Sequence, residues 1–297
     1  MNCVAAALLL CVSPASGGRF FGRRSLLAVP ALPLALEAYS RVPPLTPPDE
    51  PPPPLVSLRS APPNDLVVIL PGAGGPDANT ARIAAALQLS NRVYKCKEKG
   101  TLRACEGAGG SLVVEYDWRK YKGDELRAPY DALRLGTRLG SELGRLPEQP
   151  RSIHLVGVSV GAFLADAIAE SYVATAGRGR ANVHMTLCDA FTARGLAGLA
   201  RPTTAYGVAR FGRSADYCES ILNTDDPVPS TASVLRHAVT FDVTAAASRR
   251  GFVPLPGDSL HSWPAAWYGL VGANSRPAMP VHGANGLMQR GAVVLVG

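Results

Sequence analysis

The chain has 297 residues, 47% of them hydrophobic, which is enough for one α/β domain with a sizeable buried core. Its net charge is +7, but four arginines and one glutamate precede residue 45, so removing that segment leaves +4. The remaining surface has mixed charge and no basic stripe with interleaved aromatic residues. This pattern excludes the usual signature of a nucleic-acid-binding protein.

Residues 1–45 have the composition of targeting signals. The apolar run VAAALLLCV is followed by the small residues SPASGG, which is typical of a secretory signal peptide. Arg23 and Arg24 then precede a second apolar run, which resembles a twin-arginine export signal. Two such signals in tandem resemble the presequences of plastid proteins bound for the thylakoid lumen, with ordinary secretion as the alternative. Neither run reaches the roughly 18 to 20 apolar residues that a membrane span needs.

Residues 46–63 are rich in proline, which favours extended polyproline II structure. We expect a linker that is exposed, makes few contacts with the rest of the chain and is dispensable for folding, and a catalytic domain over residues 64–297.

The rest of the chain alternates strand-like and helix-like segments. Apolar, β-branched runs predict strands at 65–72, 111–118, 152–158, 182–191 and 237–246, and helical spacing predicts helices at 78–89, 123–146 and 161–176. This alternation predicts an α/β fold with a mostly parallel central sheet and helices on both faces.

The cysteines give no metal-binding spacing. Cys96 and Cys105 flank a short polar stretch and could form a disulfide in an exported protein, or stay as two free thiols. Cys188 lies in a strand-like run, where it is expected to pack in the core. No zinc or other metal site is predicted.

The segment SIHLVGVSVGAF places Ser159 between a predicted strand and a predicted helix. Such an abrupt turn forces the serine into a strained backbone conformation, and its neighbours Gly157 and Gly161 have to be small. The strain exposes the hydroxyl, and the helix that follows offers backbone N–H groups to an anion. Ser159 is therefore a candidate nucleophile rather than an ordinary turn serine.

With this motif and the upstream ILPGAGG, residues 65–270 resemble the α/β-hydrolase superfamily, and within it the lipases and esterases. The resemblance implies an oxyanion hole that is formed by the N–H of Val160 and by that of Ala73 or Gly74. The competing interpretation of the glycine-rich loop as a phosphate loop lacks the lysine and the Ser/Thr that such a loop needs.

The family order of nucleophile, acid and histidine implies His261 as the base, with His237 and His282 as alternatives. Asp226 in the segment NTDDPVP resembles the acid of many lipases. Asp189, after the strand that follows the nucleophile helix, and Asp225 are the alternative acids. Asp225 and Asp226 before a proline could also form only a turn.

The resemblance implies a serine carboxylic-ester hydrolase of lipase type that acts through an acyl-enzyme without a cofactor. A thioesterase or acyltransferase would use the same residues, and a non-catalytic binding protein could use the same fold. The expected partner is a lipid-like acyl ester, and peripheral contact with a membrane surface is a further expectation. No oligomeric state is predicted. The connection 192–217 could form a substrate entrance or lid. The aromatic residues at 263, 267 and 268 could be core or line an acyl pocket.

Overall fold

The computed structural model describes residues 31–41, 51–56, 63–91, 93–99, 102–107, 110–195, 205–272, 282 and 288–297. None of the helices in these ranges combines the length and the apolar character that crossing a membrane requires. The two apolar runs of the predicted presequence lie largely outside the described residues.

In this part of the chain nine strands form one sheet, in the order β2-β3-β4-β1-β5-β6-β7-β8-β9. From β4 to β9 all neighbours pair in parallel, and β2 and β3 are antiparallel at one edge. The strands are β1 Asp65–Leu70, β2 Val93–Lys99, β3 Leu102–Gly107, β4 Ser111–Tyr116, β5 Ser152–Val158, β6 Asn182–Cys188, β7 Tyr217–Leu222, β8 Val239–Asp242 and β9 Val293–Leu295.

The described helices are α1 Ala31–Arg41, α2 Ala78–Asn91, α3 Ala128–Gly144, α4 Gly161–Ala176, α5 Tyr206–Arg210 and α6 Trp263–Trp267. Helices α3 and α4 bury one sheet face, whereas α2 and α6 bury the other. Leu66, Val68 and Leu70 of β1 point into the first core, and Val67 and Ile69 into the second, as the two-residue period of a strand requires. The predicted α/β architecture, with helices on both faces of a mostly parallel sheet, is confirmed.

The proline-rich segment is not a free linker throughout. Leu55 and Val56 are buried in the core that contains α3 and α4, and the Tyr116 hydroxyl donates a hydrogen bond to the Pro53 carbonyl at 3.2 Å. The expectation of few contacts before residue 60 is therefore wrong here, because two large aliphatic side chains follow the prolines and can enter the core.

The end of α1 also contacts the domain, although it lies within the predicted presequence. The Tyr39 hydroxyl donates to Asp124 at 2.7 Å, and the Tyr130 hydroxyl donates to Glu37 at 3.1 Å. Segment 1–45 as a targeting sequence stays a prediction, but its last residues are not free of the domain.

The β2–β3 hairpin was not predicted from the sequence. Its register places Cys96 directly opposite Cys105. The side chains of both cysteines lie outside the described residues, so the disulfide stays a prediction. Cys188 is buried, as expected.

Candidate active site

The candidate site lies where several parallel strands end. The register pairs Leu70 of β1 with Gly157 of β5, Val158 of β5 with Cys188 of β6, and Cys188 with Ile221 of β7. The residues that follow these strand ends therefore meet at one edge of the sheet, which is where open α/β sheets place their ligand sites.

Ser159 occupies the turn between β5 and α4 with a φ of 53°. A Cβ atom at Gly161 would lie 2.2 Å from the Leu70 carbonyl oxygen, and one at Gly157 would lie 2.9 Å from the Cα of Ala162. Both positions therefore exclude a side chain. The predicted strained turn is present, and sterics account for its two glycines.

The turn is fixed to its neighbour strand by two backbone hydrogen bonds. The Ser159 N–H donates to Cys188 O at 3.0 Å, and the Phe191 N–H donates to Ser159 O at 3.2 Å. These bonds couple the position of Ser159 to that of Asp189, which directly follows Cys188 and precedes Ala190 and Phe191.

The loop after β1 closes as a turn in which the Gly75 N–H donates to Gly72 O at 3.0 Å. The indole of Trp118 anchors it by donating to the Pro71 carbonyl at 2.8 Å. Among the described residues, the N–H groups of Ala73, Gly74 and Val160 donate no hydrogen bond. These are the three predicted oxyanion donors, and they are free to bind an anion.

His261 lies in a short helical turn, Leu260–Ser262, after a loop in which Ser259 accepts the His261 N–H at 3.2 Å. Its Nδ1 lies 2.8 Å from Asp226 Oδ2 and 2.9 Å from Asp189 Oδ2. The structure thus brings both the first-choice acid and one alternative acid to the same imidazole nitrogen. The other nitrogen, Nε2, is buried and has no hydrogen-bond partner among the described residues.

The two carboxylates have opposite electrostatic surroundings. Burial raises the pKa of Asp189 to about 7, although His261 opposes this shift. Burial also acts on Asp226, but hydrogen bonds from His261, Thr231 and Val228 outweigh it and lower its pKa. For His261, burial favours the neutral ring, yet the two carboxylates outweigh it and raise the pKa to about 9.

The alternative residues have other partners. Asp225 pairs with Arg249 at 2.7 Å. His237 Nε2 contacts the Ala209 carbonyl, while both ring nitrogens of His282 are used by Cys218 N–H and Met288 O. In the part of the chain that the structure describes, none of these three side chains forms a hydrogen bond with His261, Asp189 or Asp226.

Asp189, Asp226 and His261 are also the one group of possible metal ligands in the described chain, with donor atoms within 4.8 Å of one another. Their contacts at 2.8 and 2.9 Å are ordinary N–H···O distances. Hydrogen bonding accounts for the cluster, so we assign no ion to it.

Two supporting residues were missed in the sequence. Thr231 donates from its hydroxyl to Asp226 Oδ2 at 2.7 Å, and the N–H of Asn223 donates to Asp189 Oδ1 at 3.2 Å. Asn223 directly follows β7, so a sequence analysis that predicted this strand would have placed Asn223 at the edge of the sheet where the site lies. Thr231 lies in a turn and gave no signal.

Of the predicted surroundings, the aromatic residues are core. Trp263, Trp267 and Tyr268 are buried among α2, α6 and the sheet. The predicted lid is only partly described, since residues 196–204 lie outside. At the N-terminal end of this connection Thr192 is buried. Its N–H and its hydroxyl both donate hydrogen bonds to the Ser230 carbonyl, at 2.9 and 2.7 Å.

Neither a protein-family model nor a curated protein matches this chain. Among solved structures, the chain is similar to MGS-M1, an α/β hydrolase enzyme from a Medee basin deep-sea metagenome library. The identity is 16% and the TM-score 0.32, over 56% of this chain and 58% of that one. The match therefore spans less than two thirds of the length of that structure.

Proposed function

We propose that the chain is a serine hydrolase that cleaves carboxylic esters of lipid-like acyl substrates. Ser159 is the nucleophile, His261 the general base, and Asp226 the acid that orients the imidazole. Val160 and Ala73 or Gly74 bind the oxyanion. The observation that carries this proposal is the arrangement of His261, whose Nδ1 contacts two buried carboxylates and whose Nε2 has no partner among the described residues. One of these carboxylates belongs to Asp189, which directly follows Cys188, the acceptor of the hydrogen bond from the N–H of the strained Ser159.

The chemistry follows from the positions of these groups. The Nδ1–H donates to Asp226, so Nε2 carries the lone pair that takes the proton of Ser159 as the hydroxyl attacks the acyl carbonyl. The N–H groups of the two loops stabilise the negative oxygen of the tetrahedral intermediate. His261 then protonates the leaving alcohol, and water releases the acyl group by the same steps. Ser159 Oγ donates no hydrogen bond to Nε2 in this structure; such bonds often form only with substrate bound.

The test is hydrolysis of short-chain nitrophenyl esters by the natural chain and by Ser159→Ala. We expect the loss of the nucleophile to lower kcat by about 10⁶. Ser141→Ala in α3 is the matched control and should hydrolyse at the rate of the natural chain. A Ser159→Ala protein with undiminished turnover would remove this residue from the mechanism.

Thioester hydrolysis and acyl transfer remain alternatives within the same mechanism, because the acyl-enzyme is common to all three. Supplying an acyl thioester or an acceptor alcohol in the same assay separates them by product. A folded natural chain that turns over none of these substrates would favour a binding role for the fold.

A further inference from the structure

Two carboxylates compete for one N–H at the candidate site. The side chains of Asp189 and Asp226 are 1% and 0% exposed, and each has an oxygen within 2.9 Å of His261 Nδ1. That nitrogen carries at most one proton. Two buried, adjacent anions repel each other strongly, which favours retention of a proton by one of them.

The two acids differ in how well they support a negative charge. Asp226 also accepts hydrogen bonds from the Thr231 hydroxyl at 2.7 Å and the Val228 N–H at 2.9 Å. Among the described residues, Asp189 accepts one further hydrogen bond, from Asn223 N–H at 3.2 Å. The ionised form is therefore stabilised more at Asp226, and the protonated form is favoured at Asp189.

The alternative place for the proton is Nε2 of His261, which would make the resting ring an imidazolium. That N–H would be buried without an acceptor among the described residues. An unsatisfied buried donor is unfavourable, by more when it is charged. A proton on Asp189, in contrast, lies next to the Asp226 carboxylate, because the polar atoms of the three side chains lie within 4.8 Å of one another.

We propose that Asp189 and Asp226 share one proton, carried by Asp189, and that Asp189 is a neutral positioning residue beside the His261–Asp226 pair. The proton location is a statement about the resting site; its effect on catalysis rests on the proposed function. During attack the Ser159 proton moves to Nε2, the proton on Nδ1 stays there with its hydrogen bond to Asp226, and the proton on Asp189 does not move. The site and substrate together keep a net charge of −1 throughout, with the imidazolium balancing the new oxyanion.

The three groups contact one another and titrate as one unit, so the values of about 7 for Asp189 and about 9 for His261 mark the two steps of the unit without assigning either step to one residue. The charged neighbours on the same loops, Asp225 and Arg249, pair with each other at 2.7 Å. Between the two steps the unit has one labile proton. If that proton lies on Asp189, Nε2 is free and activity rises with pH through about 7. If it lies on Nε2, activity rises only through about 9.

The first test is the pH profile of kcat/KM for the natural chain and Asp189→Asn. Asn replaces the neutral acid, and it tolerates the left-handed φ of 46° at this position, so the variant should fold. We expect the acid limb to stay within about half a unit and kcat/KM to fall about ten-fold. We expect Asp226→Asn to lose about a hundred-fold or more, because Asp189 must then ionise with fewer donors. A natural limb near 9, or a limb that drops by about one unit or more in Asp189→Asn, would overturn the proposal, as would the reverse order of losses.

The second test does not depend on turnover. The ¹⁵N shifts of the His261 ring are measured in Ser159→Ala between the two titration steps, with thermal unfolding as a check on folding. An unprotonated Nε2 beside a protonated Nδ1 is expected, and a doubly protonated ring would overturn the shared proton. If no ester is cleaved but Nε2 is unprotonated, the proposed function fails while the proton assignment stands.

Discussion

At the scale of single residues, the site depends on where buried charge is tolerated. Asp166 in α4 illustrates this outside the site. It is 3% exposed, and burial raises its pKa to about 7, although the Gly212 N–H at 3.2 Å opposes the shift. The folded chain therefore retains a proton here that the unfolded chain releases near its ordinary value of about 3.9.

This difference predicts the sign of a pH effect. The contribution of Asp166 to the free energy of unfolding is lost as pH rises between the two pKa values, by up to about 1.4 kcal/mol per pH unit. Asp166→Asn removes this loss, so the variant should gain stability relative to the natural chain as pH rises from about 4 to about 7.

Denaturant unfolding across that pH range checks it. Asp216→Asn is the control of opposite sign, because hydrogen bonds from Arg180 and Val183 outweigh burial and lower the pKa of Asp216. Its stability contribution is lost as pH falls. Parallel stability curves for Asp166→Asn and the natural chain would contradict the buried-acid interpretation.

The candidate residues came from the sequence, but the presence of two acids at one imidazole instead of one did not. Ser159 and His261 were chosen from a turn motif and from chain order, and both lie at the sheet edge. Asp226 and Asp189 were weighed as alternatives because a triad needs one acid. Strands β6 and β7 are neighbours in the sheet, so the residues after their ends bring Asp189 and Asp226 to His261 Nδ1. This arrangement cannot be inferred from a sequence analysis that does not recognise β7 as a strand.

At the scale of elements, the loop after β1 depends on Trp118. Its indole is fully buried and donates to Pro71 O at 2.8 Å, one residue before the turn that presents Ala73 and Gly74. Trp118→Phe removes this anchor. We expect kcat to fall about ten-fold with KM nearly unchanged, because a displaced N–H weakens binding of the transition state more than that of the substrate.

Trp267→Phe is the control for lost core packing, since Trp267 is buried in the other core. Stopped assays over a range of ester concentrations separate kcat from KM. Equal effects of the two variants on kcat would show that Trp118 acts only through stability.

The strands differ in how clearly the sequence predicts them. Strands β1, β4, β5 and β6 are apolar runs, and the sequence predicts them. Strand β7 was missed because Glu219 and Ser220 interrupt its apolar run. Glu219 is fully buried and paired, accepting from Thr186 at 2.7 Å and Tyr217 at 3.2 Å, and only the folded sheet supplies those donors.

At the scale of the whole molecule, the structured region begins before the first strand. Leu55 and Val56 are buried in the α3–α4 core. A chain that begins at residue 51 keeps this burial and loses the α1 contacts, which include two hydrogen bonds of exposed or half-buried groups, so it should unfold near the temperature of the longer protein. One that begins at residue 63 should lose about 3 kcal/mol, from the burial of two aliphatic side chains less their ordering entropy.

Thermal and denaturant unfolding of the two shortened chains makes the comparison. Leu55→Ala with Val56→Ala in the longer chain is the matched control and should lose most of the same free energy. Identical midpoints for chains that begin at residues 51 and 63 would restore the view of residues 46–63 as a free linker.

The central claim is that Ser159 is an activated nucleophile. The most direct measurement is covalent labelling of the natural chain by a fluorophosphonate, followed by mass spectrometry of the digested protein. We predict one adduct on Ser159, formed more slowly at acid pH as Nε2 of His261 gains a proton, and no adduct in Ser159→Ala. An unlabelled natural chain that is folded, or an adduct on another serine that persists in Ser159→Ala, would contradict it.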